Sequence, residues 1–355
     1  MSTFKVDTIN NDGTNAIDAT NGFTIAGNSI VQGYTSSASE PSSPSTGDLW
    51  WDSTNEVLKR YINSEWKELS FAADAGGHFG DRAVVAGGYD TTFRNYIEYF
   101  DITTASNSTD FGDLTTIKAA FSSVSDATYG VFGASNFDDQ TIDYVTIATA
   151  GNATDFGDAG AGRSASASDG SRGCFAGGYS GGYVAAIEYI TIATPSNTTS
   201  FGDLTATSSQ YNNGMSDNTY GVICVTNGFM DYITIQTTGN ASDFGDLSNN
   251  RSQTASTDDA SRGIIMGGGN TNVIDYITIA STGNATDFGD LLFDTYQAAA
   301  TSNSTRAVHS GGRHPSTTRT NIIQYVTIQT TGNATDHGDL ISARSLVTAT
   351  SGNAS

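Results

Sequence analysis

Asp-Phe-Gly occurs at residues 110–112, 155–157, 243–245 and 287–289. An aspartate in that setting can position magnesium for phosphoryl transfer. That chemistry also needs a glycine-rich phosphate loop, a strand lysine and a catalytic loop. None of them accompanies these triplets, and a catalytic motif is not used four times in one chain. The pattern instead predicts a turn, with the aspartate accepting backbone bonds and the glycine at positive φ. Asp287 and Asp290, with their counterparts, place two carboxylates near each turn. Calcium needs about 6–8 oxygen ligands, and no further acidic residues stand beside these pairs. No single pair is set apart for glycoside hydrolysis. The histidines, His78, His309, His314 and His337, share no spacing, although His309 and His314 lie on one strand–loop segment. Cys174 and Cys224 sit among apolar residues in different units and read as buried thiols. The expectation is a protein with no catalytic centre, no metal site and no cofactor.

What positions these residues is a repeat. Tyr99, Tyr144, Tyr189, Tyr232, Tyr276 and Tyr325 mark six copies of one unit, and Gly112, Gly157, Gly202, Gly245, Gly289 and Gly338 mark the same six. The steps fall between about 40 and 50 residues, a period of propellers or solenoids. Each unit holds four short strand candidates, lettered a to d, and no helical period. Strand a is polar and small (251–257, 343–350), strand b runs into a glycine pair (82–88), c carries the tyrosine (97–102) and d the FGD (108–113). Four strands per unit make the blade of a β-propeller. The first unit begins at strand b and the chain ends after a strand a. The spacing therefore predicts that 343–350 pairs beside 82–88 and closes a six-bladed ring over residues 82–355. The units' apolar strand ending in Gly-Gly, spaced tyrosine and final aromatic are similar to kelch repeats, with Phe111, Phe156, Phe201, Phe244, Phe288 and His337 where kelch units usually have Trp. That resemblance implies a propeller.

Ahead of the ring lie residues 1–33 with weakly alternating runs, a Ser/Pro linker at 34–46, a β-meander at 47–69 and a hinge at 70–81. The meander holds Trp50, Trp51 and Trp66, expected as buried anchors for virion attachment or oligomerisation. The opening MSTFKVDTIN and the run PSTGDLWWDSTNEVLKRYINSEW resemble N-terminal parts of tailed-phage fibre and virion-appendage proteins. The resemblance implies that residues 1–70 attach to other virion proteins, commonly as a homotrimer, and that the protein is located in the virion. It would also account for the lack of a signal-peptide pattern at Met1.

Formal charge is −22, from 15 basic and 37 acidic residues. So acidic a chain argues against nucleic acid as a partner, and no apolar run is long enough for membrane insertion. The N-x-[ST] sites recur once per unit, as at Asn152, Asn240, Asn284 and Asn333, and read as turn asparagines. In a four-stranded blade the a–b and c–d turns share one face and the b–c and d–a loops the other. The c–d turns are near copies, whereas the b–c loops differ in every unit. Those loops carry Tyr89, Phe93 and Arg94; Phe137; Tyr179 and Tyr183; Phe229; Arg313, His314 and Arg319. Variable aromatic and cationic loops on a rigid frame suit recognition of a host-cell surface glycan or protein. Rival expectations are a purely structural capsid or tail decoration protein, or a glycan-degrading fibre enzyme.

Overall fold

The structure is a computed structural model. It describes residues 23–25, 28–30, 34–37, 39–45, 48–52, 57–62 and 65–68, and then 79–354 except 136–138, 161, 163–164, 209–213 and 317. The chain divides into two compact units, Met1–Ala73 and Asp74–Ser355.

In the first unit Phe23–Ile25 and Asn28–Ile30 form a hairpin. The meander strands Leu49–Asp52, Val57–Ile62 and Glu65–Glu68 are present, and Tyr34–Ser37, read above as linker, pairs parallel with Leu49–Asp52. The expected turns at 53–55 and 63–64 and the MSTFKVDTIN segment lie outside the described residues. The buried Trp50 ring meets Trp66 edge-on at 5.5 Å and donates its Nε1–H to the Ser37 carbonyl at 3.1 Å. Tyr61 packs on Trp66 at 5.3 Å. Two of the three tryptophans thus build a small core for their own sheet; of Trp51 only the backbone is described.

The second unit is a six-bladed β-propeller of four-stranded antiparallel sheets. Blade 1 consists of Thr348–Gly352 (a), Arg82–Ala86 (b), Arg94–Asp101 (c) and Thr109–Lys118 (d). Its strand a comes from the far end of the chain and pairs from Thr348↔Ala86 to Gly352↔Arg82. The expected closure is therefore present, five residues later than the sequence placed its start. In blade 5 strand a is Ala255–Asp258 and d is Thr286–Thr295. The FGD triplets are thus inside strand d, not at a turn. Each sits at an irregularity in the c–d register, as between Ile274 and Asp275, where Gly289 takes φ +150°.

Every strand b is apolar on both sides because cores lie on both faces of each sheet. Val84, Ala86, Ile97 and Phe111 of blade 1 pack with Phe132, Val145 and Ile147 of blade 2, and an equivalent cluster fills each junction. Strand a is polar because it lines the central channel, where a small side chain must also bond across to its neighbour. Ser216 Oγ donates to the Ser168 carbonyl, Ser168 to Ser125, Ser125 to Ser351, Ser351 to Ser302, and Ser302 to Asp258. Asp258 completes the circle by accepting the Ser216 N–H at 2.9 Å. Each neutral bond contributes about 1 kcal/mol. Together they draw the inner strands in around a cavity of about 70 Å³, which Phe79 also lines.

A second ring runs along the c–d turns. The repeating asparagine accepts the backbone N–H of the FGD aspartate in the preceding blade, from Asp113 on Asn152 at 3.1 Å to Asp339 on Asn107 at 3.0 Å. The FGD glycine lets the two chains approach. A Cβ on Gly289 would lie 2.4 Å from the Gly332 carbonyl oxygen. The expected turn asparagine is therefore a bond between blades. Arginines opening strand b add a third tie: Arg82, Arg172, Arg262 and Arg306 each stack on their own blade's tyrosine and donate to a carbonyl at the end of the next blade's strand c. Tyr129 and Tyr220 hold this position in blades 2 and 4 and meet Tyr144 and Tyr232 edge-on.

Candidate recognition face

Strand b leaves the channel region with its glycine pair, and the chain reverses into strand c through the b–c loop. Gly87 and Gly88 both take positive φ, and a Cβ on Gly88 would meet Val347 at 2.5 Å. The pair therefore lets the b–c loop press against the d–a connection entering the same blade. Isolated bridges Tyr89↔Ser345, Gly162↔Tyr179 and Tyr296↔Arg313 record that contact in blades 1, 3 and 6. The b–c and d–a loops thus share one face, opposite the asparagine turns.

That face carries the apolar surface of the ring. Among the described residues, the large hydrophobic side chains left exposed are Tyr96, Ile117, Tyr179, Tyr183, Phe229, Leu292 and Ile341, all in b–c or d–a connections or at the strand ends that meet them. A glycine-, threonine- and asparagine-rich surface covers the other side.

The sequence-predicted residues fall into separate groups. Tyr89 and Phe93 pair across a short hairpin with ring centroids 5.1 Å apart. Arg94 Nε lies 2.8 Å from Asp90 Oδ2. Partial burial would raise Asp90, but bonds from Arg94 and from the Thr91 and Thr92 amides outweigh it and hold this carboxyl well below the usual range. Arg313 and His314 lie in the blade 6 loop beside this hairpin, for Arg319 of the same loop stacks over the Tyr89 ring at 4.4 Å. His314 Nδ1 is 2.8 Å from Ser316 Oγ, and its ring tilts towards Phe293 at 6.4 Å. Tyr179 and Tyr183 form their own edge-on pair at 5.9 Å in blade 3. Phe229, 53 % exposed, stands at the start of strand c in blade 4, after the 3-10 turn Thr226–Gly228. Phe137 lies outside the described residues. No contact among the described residues joins these groups, so the face holds a blade 6–1 patch and two isolated aromatic positions.

Sequence reasoning passed over Tyr96, Tyr296, Leu292 and Ile341, because it took the variable chemistry to reside in b–c loops alone. A signal was present: Leu291 and Leu340 after FGD are buried, and strand alternation turns the next residue outward.

His309 is buried in strand b of blade 6, well separated in environment from the partly exposed His314. Burial lowers His309 to about 4 and raises both Cys174 and Cys224 to about 12, so the thiols behave as apolar groups. Neither cysteine is in a disulfide. His337 substitutes for the FGD phenylalanine, meeting Tyr325 edge-on at 5.7 Å, with Nε2 2.9 Å from the Asp101 carbonyl across the closing junction.

No protein-family model matches the chain, and no curated protein matches it in sequence. The chain is thus defined by its architecture, a six-bladed β-propeller with one aromatic loop face. The propeller implied by the kelch-like pattern is present, while kinship with kelch proteins or with phage fibres has no matching family behind it.

Proposed function

We propose that the protein is a phage virion appendage, a tail fibre or similar part, whose propeller binds a host-surface glycan or protein and which is not an enzyme. The observation that carries the recognition role is the confinement of exposed aromatic and aliphatic side chains to the b–c and d–a face. The virion role rests on the N-terminal sequence resemblance, with residues 1–70 engaging other virion proteins or forming a homotrimer. The chain enters strand b of blade 1 on the asparagine-turn side, where Arg82 pairs with Asp101 and Gly352. Within the propeller, the loop face is thus opposite the end at which strand b of blade 1 begins.

Replacing Tyr179, Tyr183 and Arg313 together with alanine is expected to reduce attachment to host cells by about tenfold or more, the loss typical of interface anchors. Incorporation into particles should stay unchanged. A virion map with the b–c loops buried against another virion protein would overturn the reading in favour of a structural decoration protein. Release of reducing sugars from host-surface glycans would favour the degrading enzyme instead.

A further inference from the structure

The blade 6–1 patch contains a continuous row. Tyr296 bridges to Arg313, Arg313 bridges to Arg319, Arg319 stacks on Tyr89, and Tyr89 packs on Phe93. Arg313 lies 6.0 Å over the Tyr296 ring. Arg313 and Arg319, bridged through their backbones, thus lie between two aromatic ends drawn from blades 5, 6 and 1.

These two arginines differ from every other described cation of the propeller. Arg82, Arg172, Arg262 and Arg306 are held on carbonyls of neighbouring blades. Lys118, Arg251 and Arg344 are buried against carboxylates, and Arg94 is paired with Asp90. Arg313 and Arg319 lie over aromatic rings, and among the described residues neither guanidinium has a hydrogen-bond or ion-pair partner. Both are partly exposed. Two partly exposed guanidinium groups without an internal anion leave their charge-assisted bonds to be made with something outside the chain. An external anion would supply that partner.

We infer that this row binds a carboxylated saccharide: the guanidinium forks take the carboxylate, and the aromatic ends of the row flank the sugar. The fork matches a planar carboxylate bidentately, and half-buried tyrosines present both an apolar face and a polar tip. The assignment rests on the recognition reading of this face and specifies its ligand.

The test uses the full chain, titrated calorimetrically with trigalacturonate and with 3′-sialyllactose, and with methyl-esterified trigalacturonate and tetraglutamate for comparison. At least one carboxylated sugar should bind, and the neutral ester should bind on the order of tenfold more weakly, the worth of one charge-assisted bond. Arg313→Gln with Arg319→Gln should reduce that affinity by about tenfold or more at an unchanged thermal midpoint. The Arg313→Lys, Arg319→Lys pair should fall between, since it keeps charge but loses the fork. Gln329→Ala, on the asparagine-turn side, should bind the sugar as the unsubstituted chain does. Binding of tetraglutamate without either sugar would overturn the assignment in favour of an acidic peptide, and sugar binding indifferent to the glutamine pair would overturn the site. Absence of all binding would also overturn it, while the recognition reading would still stand if the Tyr179, Tyr183, Arg313 triple variant loses cell attachment.

Discussion

Single residues decide how each junction between blades is sealed. The position before the repeating tyrosine holds Glu98, Asp143, Glu188, Asp231, Asp275 or Gln324, and each accepts a bond from the chain just after the preceding blade's FGD. Asp275 is buried with Arg251 Nη1 3.0 Å away, whereas Asp231 has no cation in contact and relies on Thr205. Arg251→Met is therefore expected to cost about 3–5 kcal/mol by stranding a buried charge. Asp231→Asn should stay within about 1 kcal/mol, because burial already disfavours its charged form and raises its pKa. Urea unfolding of the two variants at neutral pH distinguishes them, and equal losses would contradict this account. His309 supplies a second test. Its folded pKa, lowered by burial to about 4, lies below the unfolded value of 6.5. The unfolded chain takes up the proton first, so this contribution is intact above about pH 6.5 and is lost as the pH falls towards about 4. Thermal midpoints of His309→Gln should fall less steeply than those of the unsubstituted chain between pH 6.5 and 5; parallel slopes would sink the assignment.

Strands carried most of what could be read in advance. Two-sided apolar runs such as Gly263 to Met266 announce a strand buried on both faces, and the tyrosine and phenylalanine that follow mark the edge-on pair seen for Tyr276 and Phe288. The period then yields the blade, and the order of strands at the two ends yields closure. FGD was rightly put on strand d but read as a turn, because Gly and Asp are turn residues by local preference. Here the glycine is set by a neighbour from another blade, the Gly332 carbonyl in the case of Gly289, and no local rule contains that partner. Strand a was recognised as polar and small, but its boundaries slipped by several residues. Serine has little strand preference of its own, and its place is fixed by bonds across the channel. The junction carboxylates were missed for the same reason: the Thr205–Asp231 contact spans 26 residues. As for the face, individual loop residues were legible, but their division into a blade 6–1 patch and isolated aromatics depends on which blades are neighbours across the closing seam.

At the scale of the whole molecule, closure rests on several ties, among them strand a of blade 1, the serine circle and Asn107 meeting Asp339. Removing residues 348–355 takes away the first two at once and leaves the edge of strand b open. With about 1 kcal/mol for each lost backbone bond, the deletion should lower unfolding free energy by at least ~5 kcal/mol, or abolish cooperative unfolding in urea. A denaturation midpoint equal to that of the full chain would show that the ring holds without its seam.

The seam also sets how the domain bears load. A pull on the chain ahead of Arg82 acts along strand b of blade 1, which is hydrogen-bonded on one side to Thr348–Gly352 and on the other to strand c. Tension along a central strand shears both ladders together, where tension on an edge strand would peel one apart bond by bond. With Arg82 also fastened to the Ile147 carbonyl of blade 2, traction at this point is shared across three strands and two blades from the outset. The closing strand thus makes the place where the ring is joined a reinforced anchor under tension.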